Sequence, residues 1–296
     1  MIPIVDTHQH LWDLDQFSLP WLAEVEALNK NYRMGDYKRE TAQSGVSKTV
    51  YMEVDVAPEQ RVAEAQFVSE LCARDDNSMA GAVMAGNPGA ETFVHYIDQF
   101  QDNEYIKGVR QVLHVPEAAR RACLKPRFIE GIQYLGELGK SFDLCLRPSE
   151  LGDAVELAER CPETLFILDH CGNADPQIVN GAVEPDADSP FAHTREQWLE
   201  DIEALGENDN VVCKLSGIVA RAREDWTFDF LAPTIDHCIE SFGVDGVIFG
   251  GDWPVCTLTT SLGQWVAAMR QIISGRSELD QQKILHDNAA RLYGLV

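Results

Sequence analysis

Eight short apolar runs with helical stretches between them narrow the folds open to this chain more than any other feature. They are PIVDTH (3–8), KTVYMEV (48–54), MAGAVMAG (79–86), IKGVRQVL (106–113), FDLCLRP (142–148), LFILDHC (165–171), NVVCKLSG (210–217) and GVIFGGDW (246–253). Mostly apolar strands alternating with helices imply a parallel sheet covered by helices. Eight such units in about 250 residues are the arithmetic of a (β/α)₈ TIM barrel. An open doubly wound sheet is the competitor, but it predicts a Gly-rich phosphate loop, and the chain has neither G-x-G-x-x-G nor a P-loop. The expectation is therefore one α/β barrel domain over residues 1–296, with its active site at the C-terminal ends of the strands.

The connecting segments fit that plan. In PEQRVAEAQFVSELCAR, Val62, Ala65, Val68, Leu71 and Cys72 fall at helical spacing after Pro58. RFIEGIQYLGELG (127–139) and TREQWLEDIEALG (194–206) read as helices, each closed by a glycine suited to a C-cap. NAARLYGLV closes the chain as a further helix. Two connections are longer than ordinary turns: 16–37, with Trp21, Tyr32 and Tyr37, and 172–190, a lid over the open face or a plain surface loop.

Charge and cysteine content exclude some functions. With 48 acidic against 24 basic residues, net −24, the chain lacks the clustered cations that nucleic acid demands. An anionic substrate would need a local cationic patch. No run approaches the roughly 20 apolar residues of a membrane span, and MIPIVDTHQH has no signal-peptide pattern, so the expected compartment is the cytoplasm. The eight cysteines form no C-x-x-C pair and read as buried, reduced thiols. Self-association is left open.

The strand ends carry the chemistry. In VDTHQH (5–10), strand alternation would turn Asp6, His8 and His10 to one face. Strand four brings Arg110 and then His114, strand five Arg147, strand six His170, strand seven Lys214 and Ser216, strand eight Asp252. Each alone has a plain structural reading. His170 could be a satisfied core histidine, Asp252 a turn cap, Lys214 a strand-end charge, and the arginines partners of Glu53 or Asp55. Their conjunction at one barrel mouth is what points to a site.

That conjunction resembles the amidohydrolase superfamily, and within it the sugar-lactonase branch of L-fuconolactonases and L-rhamnonolactonases, with the 2-pyrone-4,6-dicarboxylate lactonases more distant. The carrying motifs are DTHQHLWD (6–13), YMEVD (51–55), KGVRQVL (107–113), LDHCGN (168–173), CKLSG (213–217), FGGDWPVC (249–256) and NAARLY (288–293). The resemblance implies a hydrolase acting on a small-molecule lactone, with Asp252 as general base. His8, His10 and His170 would polarise the carbonyl, either directly or through one divalent ion, zinc by preference, that they hold together with Asp252. Arg110, Arg147, Trp12, Glu53, His114 and Trp253 are the expected substrate contacts. Strand four offers Arg110 where binuclear members carry a bridging lysine or glutamate, and strand five offers Cys145 and Arg147 in place of a histidine, so a binuclear centre is not expected. A dicarboxylate lactone or other cyclic ester, a decarboxylation, and a barrel that only binds its ligand are the alternatives.

Overall fold

The structure, a computed structural model, describes residues 1–223 and 225–295. The strands are β1 Ile4–Gln9, β2 Val46–Met52, β3 Met79–Ala85, β4 Ile106–Val112, β5 Ser141–Cys145, β6 Phe166–Leu168, β7 Val211–Leu215 and β8 Val247–Phe249. They pair in parallel, in sequence order. A parallel bridge between Gln9 and Trp253 joins β1 to the segment after β8. There His10 N–H donates to the Trp253 carbonyl and Asp252 N–H to the His8 carbonyl, both at 2.8 Å. The closure of the barrel and two of the expected site residues therefore share the same backbone bonds.

A helix follows each strand: α1 Met34–Glu40, α2 Arg61–Cys72, α3 Phe93–Asp98, α4 Pro126–Glu137, α5 Leu151–Arg160, α6 Arg195–Gly206, α7 Phe228–Phe242 and α8 Leu262–Ile272, with α9 Asn288–Leu292 closing the chain. The alternation read from the sequence is thus the (β/α)₈ fold observed. In α4, Pro126 starts the helix and Phe128, Ile129, Ile132 and Leu135 form its buried stripe. Each such burial stabilises by roughly 1.5–3 kcal/mol. Gly139 ends this segment in the left-handed conformation, φ +65°, as a helix-stopping glycine should. Gly206 does something else: it closes α6 from inside, where a Cβ would lie 2.3 Å from the Ser241 carbonyl of α7. Its role is close helix packing, not capping.

Val5, Val50, Met52, Val83, Ile167, Val212 and Ile248 fill one half of the barrel interior, against Ala289, Tyr293 and Leu295 of the C-terminal segment. That half is ordinary core. Beyond it the interior turns polar, with Arg110, Asp143, Asp169, Lys214 and His8 all buried. Desolvating so many charges is costly unless each is paired.

Strict alternation along β1 does not hold. The pairing register with β2 shifts between Asp6 and Gln9. Asp6 turns to the helix layer, where it accepts from the Tyr37 hydroxyl of α1 at 2.6 Å. It also accepts from the Gly251 N–H at 2.6 Å and the His8 N–H at 3.1 Å. A Cβ at Gly251 would sit 2.4 Å from Asp6 Oδ2. Asp6 is therefore the clamp that holds β1 to the turn carrying Asp252, and only the histidines of VDTHQH reach the mouth.

Candidate active site

His8 and His10 bring their Nε2 atoms to 3.1 Å of each other. Asp252 Oδ1 lies 3.4 Å from His10 Nε2 and 3.8 Å from His8 Nε2. His170 joins from the turn after β6, its ring centroid 4.4 Å from that of His8. The four groups expected to meet from strands one, six and eight do meet.

The turns that carry them are specialised. His170 and Asp252 both have left-handed backbones, φ +57° and +54°, uncommon for residues other than glycine. Gly217, at φ +68°, leaves the space: a Cβ there would lie 2.3 Å from His170 Nδ1. Ser216 Oγ, 2.9 Å from the same Nδ1, fixes the ring.

Hydrogen bonding sets where the imidazole protons lie. His10 Nδ1 faces the Met52 carbonyl at 3.0 Å, and a carbonyl only accepts, so the His10 proton is on Nδ1 and its Nε2 lone pair faces the site. His8 Nδ1 lies 3.4 Å from both Asp169 Oδ1 and Lys214 Nζ. With its proton on Nε2, His8 donates to His10 and Nδ1 accepts from Lys214. With its proton on Nδ1, held by Asp169, His8 presents a second lone pair beside that of His10 and the Asp252 carboxylate. Arg110 Nη1, 3.4 Å from His8 Nε2, can donate to that lone pair, and a bound cation is the other partner the arrangement fits. Ligand atoms about 2.0–2.1 Å from a tetrahedral zinc lie roughly 3.3 Å apart, close to the separations here. One ligand atom each from His8, His170 and Asp252 also falls within 4.8 Å of the others. The donor set fits one divalent ion, and Asp169, Met52 and Ser216 supply the outer hydrogen bonds that such a centre needs.

Beneath the site, Lys214 Nζ is 2.6 Å from Asp143 and 2.9 Å from Asp169, while Arg110 pairs with Glu53 at 2.6 Å and Asp169 at 3.3 Å. Burial alone would raise the Asp169 carboxyl; Lys214, His8 and His170 together hold it well below its ordinary range. Asp252 is likewise pushed up by burial, but the pull of the surrounding histidines, His170 foremost, outweighs this and keeps it ionised. Burial lowers His170 to about 4, against the opposing pull of Asp252 and Asp169. The mouth thus sets an ionised carboxylate among imidazoles of which burial lowers His8 and His170.

Above it opens a cavity of about 360 Å³ with His10, His170 and Asp252 on its wall. Most of the wall is apolar, including Trp12, Trp21, Leu28, Val54, Phe191 and Leu258. The long connection after β1 contributes Trp21, Val25 and Leu28 through two short 3₁₀ turns. Phe191, just past the long stretch after β6, stacks against His114 at 5.0 Å and under the Arg221 guanidinium at 3.9 Å. The stretch 172–190 itself reaches the cavity wall at Asn173.

Of the expected substrate contacts, Trp12, Arg110 and His114 stand on the cavity wall. Three others are occupied elsewhere. Arg147 is spent on Glu150, at 2.8 Å, and on the Val115 and Ala118 carbonyls. Glu53 is buried against Arg110 and the Asp55 N–H. Trp253 is buried edge-on between Tyr32 and Tyr37, at 5.3 and 5.4 Å. Asn173 and Arg221 line the cavity without having been expected to. Arg221 Nη2 donates to Asn173 Oδ1 at 2.8 Å, its buried Nε has no partner, and no carboxylate among the described residues forms an ion pair with it.

The amidohydrolase family model matches residues 5–295. The uncharacterized protein y4mH of Sinorhizobium fredii is 26% identical over 99% of this chain and 98% of its own length. An L-fucono-1,5-lactonase of Burkholderia multivorans is 24% identical over 98% and 96%, and an L-rhamnono-gamma-lactonase of Scheffersomyces stipitis 21% identical over 99% and 98%. Among solved structures, an amidohydrolase from Burkholderia multivorans with bound zinc superimposes with a TM-score of 0.83 at 22% identity, covering 99% of this chain and 100% of that one.

Proposed function

Because the chain belongs to the amidohydrolase family, we propose that it is a single-domain lactone hydrolase whose reacting groups are Asp252 and the imidazoles of His8, His10 and His170. The observation that carries this reading is the convergence of three imidazoles on one ionised, buried carboxylate at the floor of a cavity. His8, His10, His170 and Asp252 would hold one divalent ion, zinc for this donor set and in line with the zinc-bound relative, which would supply Lewis acidity toward the carbonyl and acidify water.

The residues divide the work as follows. Asp252 accepts a proton from the attacking water as its oxygen bonds to the lactone carbonyl carbon. When the ring C–O bond breaks, the same carboxyl returns the proton to the leaving alkoxide, so that lactone plus water gives one hydroxy acid. Asp169 orients His8, Met52 orients His10 and Ser216 orients His170, which spares the reaction any reorganisation. Arg221, the cavity cation without a carboxylate partner, is placed to donate to a ring hydroxyl or carboxylate.

The mostly apolar wall favours a lactone with one hydrophobic face. A deoxy-sugar lactone of the kind named by the two lactonase relatives has such a face. The test is a panel of sugar, alkyl and dicarboxylate lactones in weak buffer, with ¹⁸O-water. Ring-opened acid carrying one ¹⁸O in its carboxylate, formed fastest from a deoxy-sugar lactone, supports the reading. Inert lactones, or CO₂ evolved from an aromatic acid, overturn it.

A further inference from the structure

Behind the mouth, between the barrel wall and its helices, three cysteines from three elements meet. Cys171 lies in the turn after β6, Cys213 on β7 and Cys238 on α7, and their sulfurs all lie within 4.8 Å of one another. All three are fully buried, and the proposed hydrolysis uses none of them. Local structure explains the meeting. Lys214 points into the barrel, so its neighbour Cys213 points out, toward α7. Cys238 sits on the buried stripe of α7 with Leu231 and Ile235. Cys171, at φ +52°, turns its sulfur back to within 3.9 Å of the Lys214 carbonyl.

Packing alone would be served by a small apolar side chain at any of the three positions. A cluster of three thiols is instead the donor set of a soft cation. Among the described residues no histidine, carboxylate or further cysteine completes the group. A structural zinc site takes four ligands. Three sulfurs alone suit a d¹⁰ ion content with three donors.

We propose that Cys171, Cys213 and Cys238 form a buried three-sulfur site for a soft monovalent cation of the copper(I) class, separate from the mouth. Binding forms copper–sulfur bonds and releases thiol protons to solvent, with no change of oxidation state. Entry needs a local opening of α7. Pro233 inside that helix cannot donate to the Asp229 carbonyl, which weakens the turn next to the cluster.

The test is anaerobic competition of the full-length protein with the copper(I) complex of bathocuproine disulfonate. Wild type withdraws one equivalent, gains an ultraviolet thiolate-to-copper band, and gives an X-ray absorption spectrum with three sulfur neighbours. Cys238→Ala and Cys213→Ala lose the withdrawal and the band. No withdrawal by wild type overturns the proposal, as does uptake that survives Cys238→Ala and disappears in His8→Asn, which would put the ion at the mouth. If the cysteine variants fail to fold, the wild-type absorption spectrum decides: three sulfurs support the site, and nitrogen or oxygen neighbours contradict it.

Discussion

Asp169 Oδ1 stands 3.4 Å from His8 Nδ1 at the centre of the barrel, and neither side chain touches solvent. This carboxylate also meets Lys214 and Arg110, so one residue orients an imidazole of the mouth and balances two buried cations. Asp169→Asn keeps the shape and removes the charge. Breaking a buried ion pair costs about 3–5 kcal/mol. Because Asp143 remains for Lys214 and Glu53 for Arg110, a loss of about 3 kcal/mol is expected from urea unfolding midpoints.

The same substitution bears on the metal. With Asp169 present, His8 can carry its proton on Nδ1 and offer Nε2 as a ligand. Zinc titration of Asp169→Asn, followed by competition with a chromophoric chelator, should show affinity reduced about 10–100-fold from wild type. Elemental analysis of zinc-loaded wild type should find close to one equivalent, lost in His8→Asn.

Gly217→Ala tests the space kept for His170. The added Cβ would lie 2.3 Å from His170 Nδ1, and the backbone there is left-handed. Displacing a reacting group by about 1 Å costs on the order of 10²-fold in rate. Turnover should fall by about that factor while the unfolding midpoint moves by only about 1–2 kcal/mol, the cost of a left-handed alanine.

The pH dependence of stability has a definite sign. Burial, aided by Arg221 and Arg110, lowers His114 to about 3, whereas an unfolded histidine titrates near 6.5. The unfolded chain therefore binds the extra proton as pH falls from 6.5 toward 3, and stability is lost across that window. His114→Gln removes this contribution. Its stability relative to wild type should improve by about 2 kcal/mol between pH 7 and pH 5, read from paired urea melts.

How far the sequence could be read follows from what determines each feature. All eight strands were visible, because buried parallel strands are apolar runs and the period does not depend on tertiary detail. His8, His10, His170 and Asp252 were visible because barrel chemistry collects at strand ends. Asp6 was misplaced on the site face because a register shift in β1 breaks the alternation, and nothing in VDTHQH signals it. Arg147 looked like a substrate arginine, but a partner three residues on, Glu150, had already claimed it. Asp169 stands beside His170 in LDHCGN, and alternation past β6 turns it inward, so its place beside the site is legible there. Arg221 and Phe191 lie in loops whose paths depend on tertiary packing, so no local pattern could place them on the cavity wall.

The most direct measurement is turnover of the best lactone by wild type and Asp252→Asn, followed as proton release at constant pH in matched, folded, zinc-equilibrated samples. Substituting the carboxylate that takes the proton from water should lower kcat by at least about 10²-fold, the usual contribution of a general base. An Asp252→Asn enzyme that turns over at the wild-type rate would contradict the assignment of hydrolysis to this mouth.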